Sequence, residues 1–246
     1  MENSTPTTLT EVIILAGGLG TRLRSVVKDI PKPMADINGR PFLEYVFNYL
    51  QPQGIKRIIL AVGYRYELIE QYFGTDYKGM KIVYAVENSP LGTGGAIRLA
   101  LREATTKNVG VLNGDTLFTA NLQQLYAFHL KKNAHLSLAV CEMHHFDRYG
   151  TIEFEEHYIR AFREKKAVEK GYINAGVYVI NQNLLEQEYL GEKFSFEKEI
   201  LEKYYQTNPE KMLAYLVSPS PYFIDIGIPT DYEKAQTELP ALSFLY

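Results

Sequence analysis

Two aspartates stand out by context. Asp115 closes Asn113-Gly114-Asp115, and Asp225 lies in Phe223-Ile224-Asp225-Ile226-Gly227, far away in the chain. Asp115 follows the apolar run Val109 to Leu112 and so closes a strand, and two hard oxygen donors of this kind could hold a divalent cation such as Mg2+. Taken singly, an aspartate after Asn-Gly is equally a turn or a helix cap. Two cations accompany them. Arg22 follows Gly17-Gly18-Leu19-Gly20-Thr21, and Lys32 is held between Pro31 and Pro33 on a stiff segment. A loop of small residues exposes amides that can approach phosphate oxygens, with the arginine as a planar clamp and the lysine as a compact charge. The chemistry these residue types suit is phosphate handling. Two stock phosphate motifs do not fit, however. Leu23 stands where a dinucleotide fingerprint needs its third glycine, and the Gly-Lys-Ser/Thr of a Walker A loop is absent. A plain turn carrying surface charges remains the simplest account of the glycines alone.

The elements that must position these residues follow from periodicity. Val12 to Ala16, Ile58 to Val62, Ile82 to Val86 and Val109 to Leu112 are short apolar runs that read as strands. Between them, Phe42 to Leu50 after Pro41, Glu67 to Phe73 and Ala96 to Ala104 have helical spacing. Alternation at this pitch predicts an α/β fold, with a Rossmann-like, mostly parallel but mixed central sheet flanked by helices and a crevice at the carboxyl ends of its strands. Three glycine-containing loops follow strands and are expected to face that one crevice. From Leu136 onward, Leu136 to Val140, Thr151 to Phe154, Ile159 to Phe162 and Val177 to Ile180 read as strands of a smaller β-rich extension covering the crevice. Helical spacing returns at Phe196 to Tyr205 and Asp231 to Glu238. One domain, 1–246, is expected, with a first part at about 11–134 and a β-rich second part at about 135–238.

Composition narrows the function classes. A chain of 246 residues with 46% hydrophobic and 13% aromatic content is not disordered, and a net charge of −3 argues against a nucleic-acid or membrane-surface footprint. Cys141 is the single cysteine and reads as a small apolar residue in a reducing compartment. The opening MENSTPTTLT lacks the basic flank and apolar core of a signal peptide, and no apolar run is long enough to span a bilayer. A cytoplasmic protein with small-molecule substrates is expected; a homo-oligomer stays open.

Leu15-Ala16-Gly17-Gly18-Leu19-Gly20-Thr21-Arg22-Leu23 with Pro31-Lys32-Pro33-Met34 resembles the signature of the sugar-1-phosphate nucleotidyltransferases. Leu91-Gly92-Thr93-Gly94-Gly95-Ala96 resembles their second nucleotide loop, Asn113-Gly114-Asp115 their metal-binding strand end, and the segment around Asp225 the carrier of the second metal aspartate. One departure is Ser25-Val26-Val27, where many members have Pro-Leu-Thr. The resemblance implies that an NTP and a sugar 1-phosphate join with release of pyrophosphate, using Mg2+ held by Asp115 and Asp225. It implies catalytic roles for Arg22, Lys32 and Asp115. Leu15, Ala16, Gly17, Gly18, Gly20, Thr21, Gly92, Thr93 and Gly114 would bind the nucleotide. In the second half, Glu164 and Lys165 would take sugar hydroxyls and the sugar phosphate, and Asn174, with Gly150 and Gly176 as space for a pyranose, would complete that site. Glu-Lys-Lys at 164–166 is also an ordinary solvated charge run.

Glu87 falls where the resemblance places the base. An ionised carboxylate accepts side by side from N1–H and the exocyclic amine of guanine, a donor pair that no other common base offers. GTP is thus the expected donor, although Glu87 is equally a strand-end surface carboxylate. By resemblance a heptose 1-phosphate is the expected acceptor, ahead of mannose 1-phosphate, with a glucose-1-phosphate uridylyl- or thymidylyltransferase as an alternative. A rival of another class is a catalytically silent subunit that binds nucleotide sugars; such a copy would be free to lose its cations and carboxylates. His144-His145 should point to opposite faces of a strand and His129 lies in a helical apolar stripe, so neither reads as a metal site.

Overall fold

The computed structural model describes residues 7–18, 23, 29–186, 190–218 and 221–243. In chain order the elements are β1 (Glu11–Leu15), β2 (Asp36–Ile37), β3 (Arg40–Pro41), α1 (Phe42–Leu50), β4 (Arg57–Val62), α2 (Tyr66–Phe73), β5 (Asp76–Tyr77) and β6 (Met80–Val86). There follow α3 (Gly92–Leu101), β7 (Asn108–Asn113), β8 (Thr116–Phe118), α4 (Leu122–Lys131), β9 (Leu136–Phe146), β10 (Thr151–Glu155), β11 (Tyr158–Arg163) and β12 (Val168–Asn181). A π-helical turn at Phe196–Leu201 leads into α5 (Glu202–Thr207), then β13 (Met212–Leu216), β14 (Phe223–Asp225) and α6 (Pro229–Glu238).

Among the described residues one ten-stranded sheet runs β10-β11-β13-β9-β12-β7-β1-β4-β6-β5. Its centre, β7-β1-β4-β6, is parallel, and β12 joins antiparallel to β7. The fold is the mixed α/β sheet expected. The β-rich extension, however, continues the same sheet through β12 and β9 and forms no separate layer. β12 also starts at Val168, well before the Val177 expected, because Lys170 and Tyr172 alternate with smaller neighbours along an exposed arm that pairs with the far half of β9.

Strand alternation divides the core between the two faces. Val12 and Ile14 of β1 and Ile58, Leu60 and Val62 of β4 pack on one face with apolar residues of α1, α2, α4 and α6. Ile13, Ile59 and Ala61 point the other way, against α3 and the segment Phe196 to Tyr204. Pro41 takes the N-cap of α1, and Asn121 caps α4 by accepting from Gln124 N–H at 3.0 Å. Among the described residues no helix is long and apolar enough to cross a membrane.

Candidate active site

Asp115 and Asp225 are brought together by the short pairing of β14 on β8, which sets Asp225 opposite Thr116. Ile226 N–H donates to Asp115 O at 3.0 Å and fixes the register. Lys32, on the one-turn 3-10 segment Lys32–Met34, extends a largely buried side chain between the two carboxylates. Its Nζ bonds Asp115 Oδ2 and lies 3.6 Å from Asp225 Oδ1. Burial, and next the charge of Asp115, push the Asp225 carboxyl above the usual aspartate range, while Lys32 and the Gly227 N–H act against them. Two carboxylates sharing one ammonium keep an excess negative charge, so the donor set fits an added hard cation. Among the described residues no third His, Cys, Asp or Glu completes such a group.

Two clefts open beside this cluster at the paired ends of β1 and β7, where Leu15 is the register partner of Asn113. The first cleft, of about 690 Å³, is lined by Leu15, Gly17, Gly18, Gly92 and Thr93 together with Glu87 and Tyr64. Ala16 is buried, its N–H donating to Ala61 O at 2.8 Å, and does not line the cleft. Gly114 N–H likewise donates to Leu15 O at 2.9 Å, tying the two strand ends together. Glu87 is half-buried at the floor. Its Oε2 accepts from Leu91 N–H at 2.9 Å, and a Cβ on Gly17 would come within 2.8 Å of Oε1. Burial raises the Glu87 pKa, against the Leu91 bond.

The second cleft, of about 530 Å³, collects Asp115, Asp225, Gly150, Glu164, Lys165, Asn174 and Gly176. Glu164 and Lys165 are exposed at its rim. Asn174 uses its amide on the chain itself: Oδ1 accepts from Gly176 N–H at 3.0 Å and Nδ2 donates to Tyr178 Oη at 2.7 Å. Both glycines are also required by the packing of the chain itself. A Cβ on Gly176 would lie 2.5 Å from the Asn113 amide, at a left-handed φ of 71°, and one on Gly150 2.5 Å from Arg163 O.

The glycines after Leu91 also differ from expectation. They form the first turn of α3, and residues 190–197 lie across them as a strap. Phe194 O accepts from Gly94 N–H at 3.0 Å and Gly95 N–H at 3.4 Å, taking amides that a phosphate would otherwise meet. A Cβ on Gly94 would collide with the Phe194 ring, and one on Gly95 would sit 2.6 Å from Glu192 O. Arg98 holds the strap from below, donating to Leu190 O at 3.1 Å and Gly191 O at 2.7 Å with its guanidinium 5.0 Å from the Phe194 ring centre. The Thr93 hydroxyl is occupied as well, donating to Glu197 Oε2 at 2.6 Å and accepting from Phe196 N–H at 2.9 Å. Sequence reasoning did not find the strap or Glu197, which lines the second cleft.

Leu19, Gly20, Thr21, Arg22 and Ser25 to Val27 lie outside the described residues. His129 is buried with Nδ1 3.0 Å from Ser137 Oγ, and burial lowers its pKa to about 4. His144 and His145 are exposed, and His144 pairs with Glu142 at 2.9 Å. Cys141 is buried, which raises its thiol pKa to about 12.

Residues 11–241 match the model of the nucleotidyl transferase family. The chain is 51% identical over 229 residues to a D-glycero-alpha-D-manno-heptose 1-phosphate guanylyltransferase of Aneurinibacillus thermoaerophilus, covering 93% of this chain and 98% of that one. It is 47% identical over 223 residues to a protein of the same name from Campylobacter jejuni, with coverage of 90% and 96%. The crystal structure of HddC from Yersinia pseudotuberculosis complexed with GMP-PN superposes with a TM-score of 0.81 at 38% identity, covering 93% of this chain and 98% of that one.

Proposed function

This chain belongs to the nucleotidyl transferase family, and we propose that it transfers a guanylyl group from GTP to D-glycero-α-D-manno-heptose 1-phosphate, making a GDP-sugar and releasing pyrophosphate. The observation that carries this reading is the Lys32–Asp115–Asp225 cluster beside two clefts that open at adjoining strand ends. The names of the relatives, at 51% and 47% identity over nearly their whole length, support the choice of nucleotide and sugar. In this reading the first cleft takes the nucleotide and the second the sugar phosphate.

The reaction needs no proton acceptor. An oxygen of the sugar phosphate is ionised at neutral pH and attacks the α-phosphorus; the new P–O bond forms as the bond to the pyrophosphate oxygen breaks. The obstacle is bringing two polyanions together in line, which calls for positioning and positive charge. Asp115 and Asp225 would hold a divalent cation, Mg2+ by their hard oxygen character, which when bound offsets phosphate charge. Lys32 keeps the two carboxylates close and places an ammonium at the junction of the clefts. Arg22 supplies a further cation to the triphosphate, and Lys165 at the rim of the second cleft meets the sugar's phosphate. Glu87 reads guanine with the carboxylate edge that faces Gly17. The products follow from one incubation: with GTP, the heptose 1-phosphate and Mg2+, mass spectrometry should detect GDP-heptose with an equal yield of pyrophosphate. A folded protein that forms neither would leave the silent binding subunit as the better reading.

A further inference from the structure

We propose that Glu197 is a fixed hydrogen-bond acceptor for a sugar hydroxyl in the second cleft, and so a determinant of which sugar phosphate is used; this rests on the assignment of that cleft to the sugar. Glu197 lines the cleft together with the rim residues Glu164 and Lys165. One of its oxygens, Oε2, accepts from Thr93 Oγ1 at 2.6 Å and Ser195 Oγ at 2.8 Å. Among the described residues the other oxygen, Oε1, has no hydrogen-bond partner. Two short bonds on one oxygen lock the rotamer, leaving Oε1 as an acceptor of set position.

The surroundings fix it further. Phe196, next in the chain, packs edge-on at 5.2 Å against Tyr178 on the cleft floor. The Tyr178 hydroxyl already takes the Asn174 amide, and burial, then the Glu197 charge, hold that phenol protonated. Thr93 also lines the first cleft, so the carboxylate is braced from the nucleotide side and directed to the sugar side. A polyol binds where acceptors of fixed geometry meet its hydroxyls, and an analogue lacking the matched hydroxyl leaves the carboxylate desolvated and unpaired.

Glu197→Gln is the informative variant. Its amide oxygen can keep the bonds from Thr93 and Ser195, while an NH2 replaces the open acceptor. Pyrophosphate release is measured with GTP and with D-glycero-α-D-manno-heptose 1-phosphate varied in turn, and then with each monodeoxy analogue of α-D-mannose 1-phosphate. The expected result is a rise of about tenfold or more in KM for the sugar phosphate, with KM for GTP moving less than about twofold. In the parent enzyme one deoxy position should carry the largest penalty, and in Glu197→Gln that penalty should shrink. Ratios among substrates within one variant do not depend on the fraction folded, so the test remains readable if the variant is less stable. An active parent whose Glu197→Gln variant keeps both the KM for sugar phosphate and the ranking of the deoxy analogues overturns this inference alone. A parent that turns over no sugar phosphate overturns the transferase reading and this inference with it.

Discussion

At the scale of single residues, the site depends on opposing charges held at close range. Asp115 is bonded to Lys32 and lies near Asp225, whose carboxyl is raised by burial and by Asp115 itself. Asp115→Asn changes little volume and removes one charge, so the fold should persist while kcat/KM falls by about a hundredfold or more, as for other deleted preorganised charge stabilisers. Circular dichroism with steady-state kinetics checks both halves; a well-folded variant of near-normal activity would take Asp115 out of the mechanism. Glu87 has one oxygen on Leu91 N–H and the other toward Gly17. Glu87→Gln places a donor against the guanine donors, and the preference for GTP over UTP should drop by about tenfold or more. If that ratio is untouched, the base is read by other groups, such as the backbone of 88–92. The charged residues of this cluster were legible from sequence because Asp115, Asp225 and Lys32 each have a distinctive local context. Glu197 was not, since Phe196-Glu197-Lys198-Glu199-Ile200 has the pattern of any amphipathic helix, and only the fold turns it toward a cleft.

At the scale of elements, the strap on α3 is the feature with the clearest mechanical consequence. Gly94→Ala would drive a methyl group into the Phe194 ring and lift the Phe194 carbonyl from the helix N-terminus. A loss of about 1–3 kcal/mol is expected, the usual cost of forcing a packed interface apart, together with a raised KM for the sugar phosphate because Glu197 moves with the strap. Urea unfolding and kinetics on the same preparation measure the two effects; unchanged stability would mean the ring swings aside freely. This contact joins segments about a hundred residues apart, so the sequence around Gly92 to Gly95 could only be read locally, as a phosphate loop. Helix α4 carries a second test. Folded His129 takes up a proton only near pH 4, whereas an unfolded histidine does so near 6.5. Between those values the unfolded chain binds more protons, so stability falls as the pH drops through this window. His129→Gln should remove up to about 3 kcal/mol of that decline. Chemical denaturation of both proteins at pH 7.5 and 4.5 checks it, and identical losses would show that His129 is not the group responsible.

At the scale of the whole molecule, the parallel centre of the sheet was readable because β1, β4 and β7 are buried on both faces and appear as continuous apolar runs, and the partly exposed β6 keeps the run Ile82 to Val86. The second half was readable only in part. β12 and β9 are long because their outer halves pair with each other beyond the core, where polar residues such as Glu142, His144 and Lys170 interrupt any apolar signal. β13, β8 and β14 are three to five residues long and gave no periodicity to read, yet β8 and β14 are what bring Asp225 to Asp115. The proposed guanylyl-transfer site is built by these elements from two adjoining clefts. The most direct test places the protein with Mg2+, D-glycero-α-D-manno-heptose 1-phosphate and equimolar GTP, ATP, CTP, UTP and dTTP in one vessel, and identifies the nucleotide sugars formed. GDP-heptose as the dominant product is the predicted result; a dominant UDP-, dTDP-, CDP- or ADP-sugar, or no nucleotide sugar from folded protein, would contradict it.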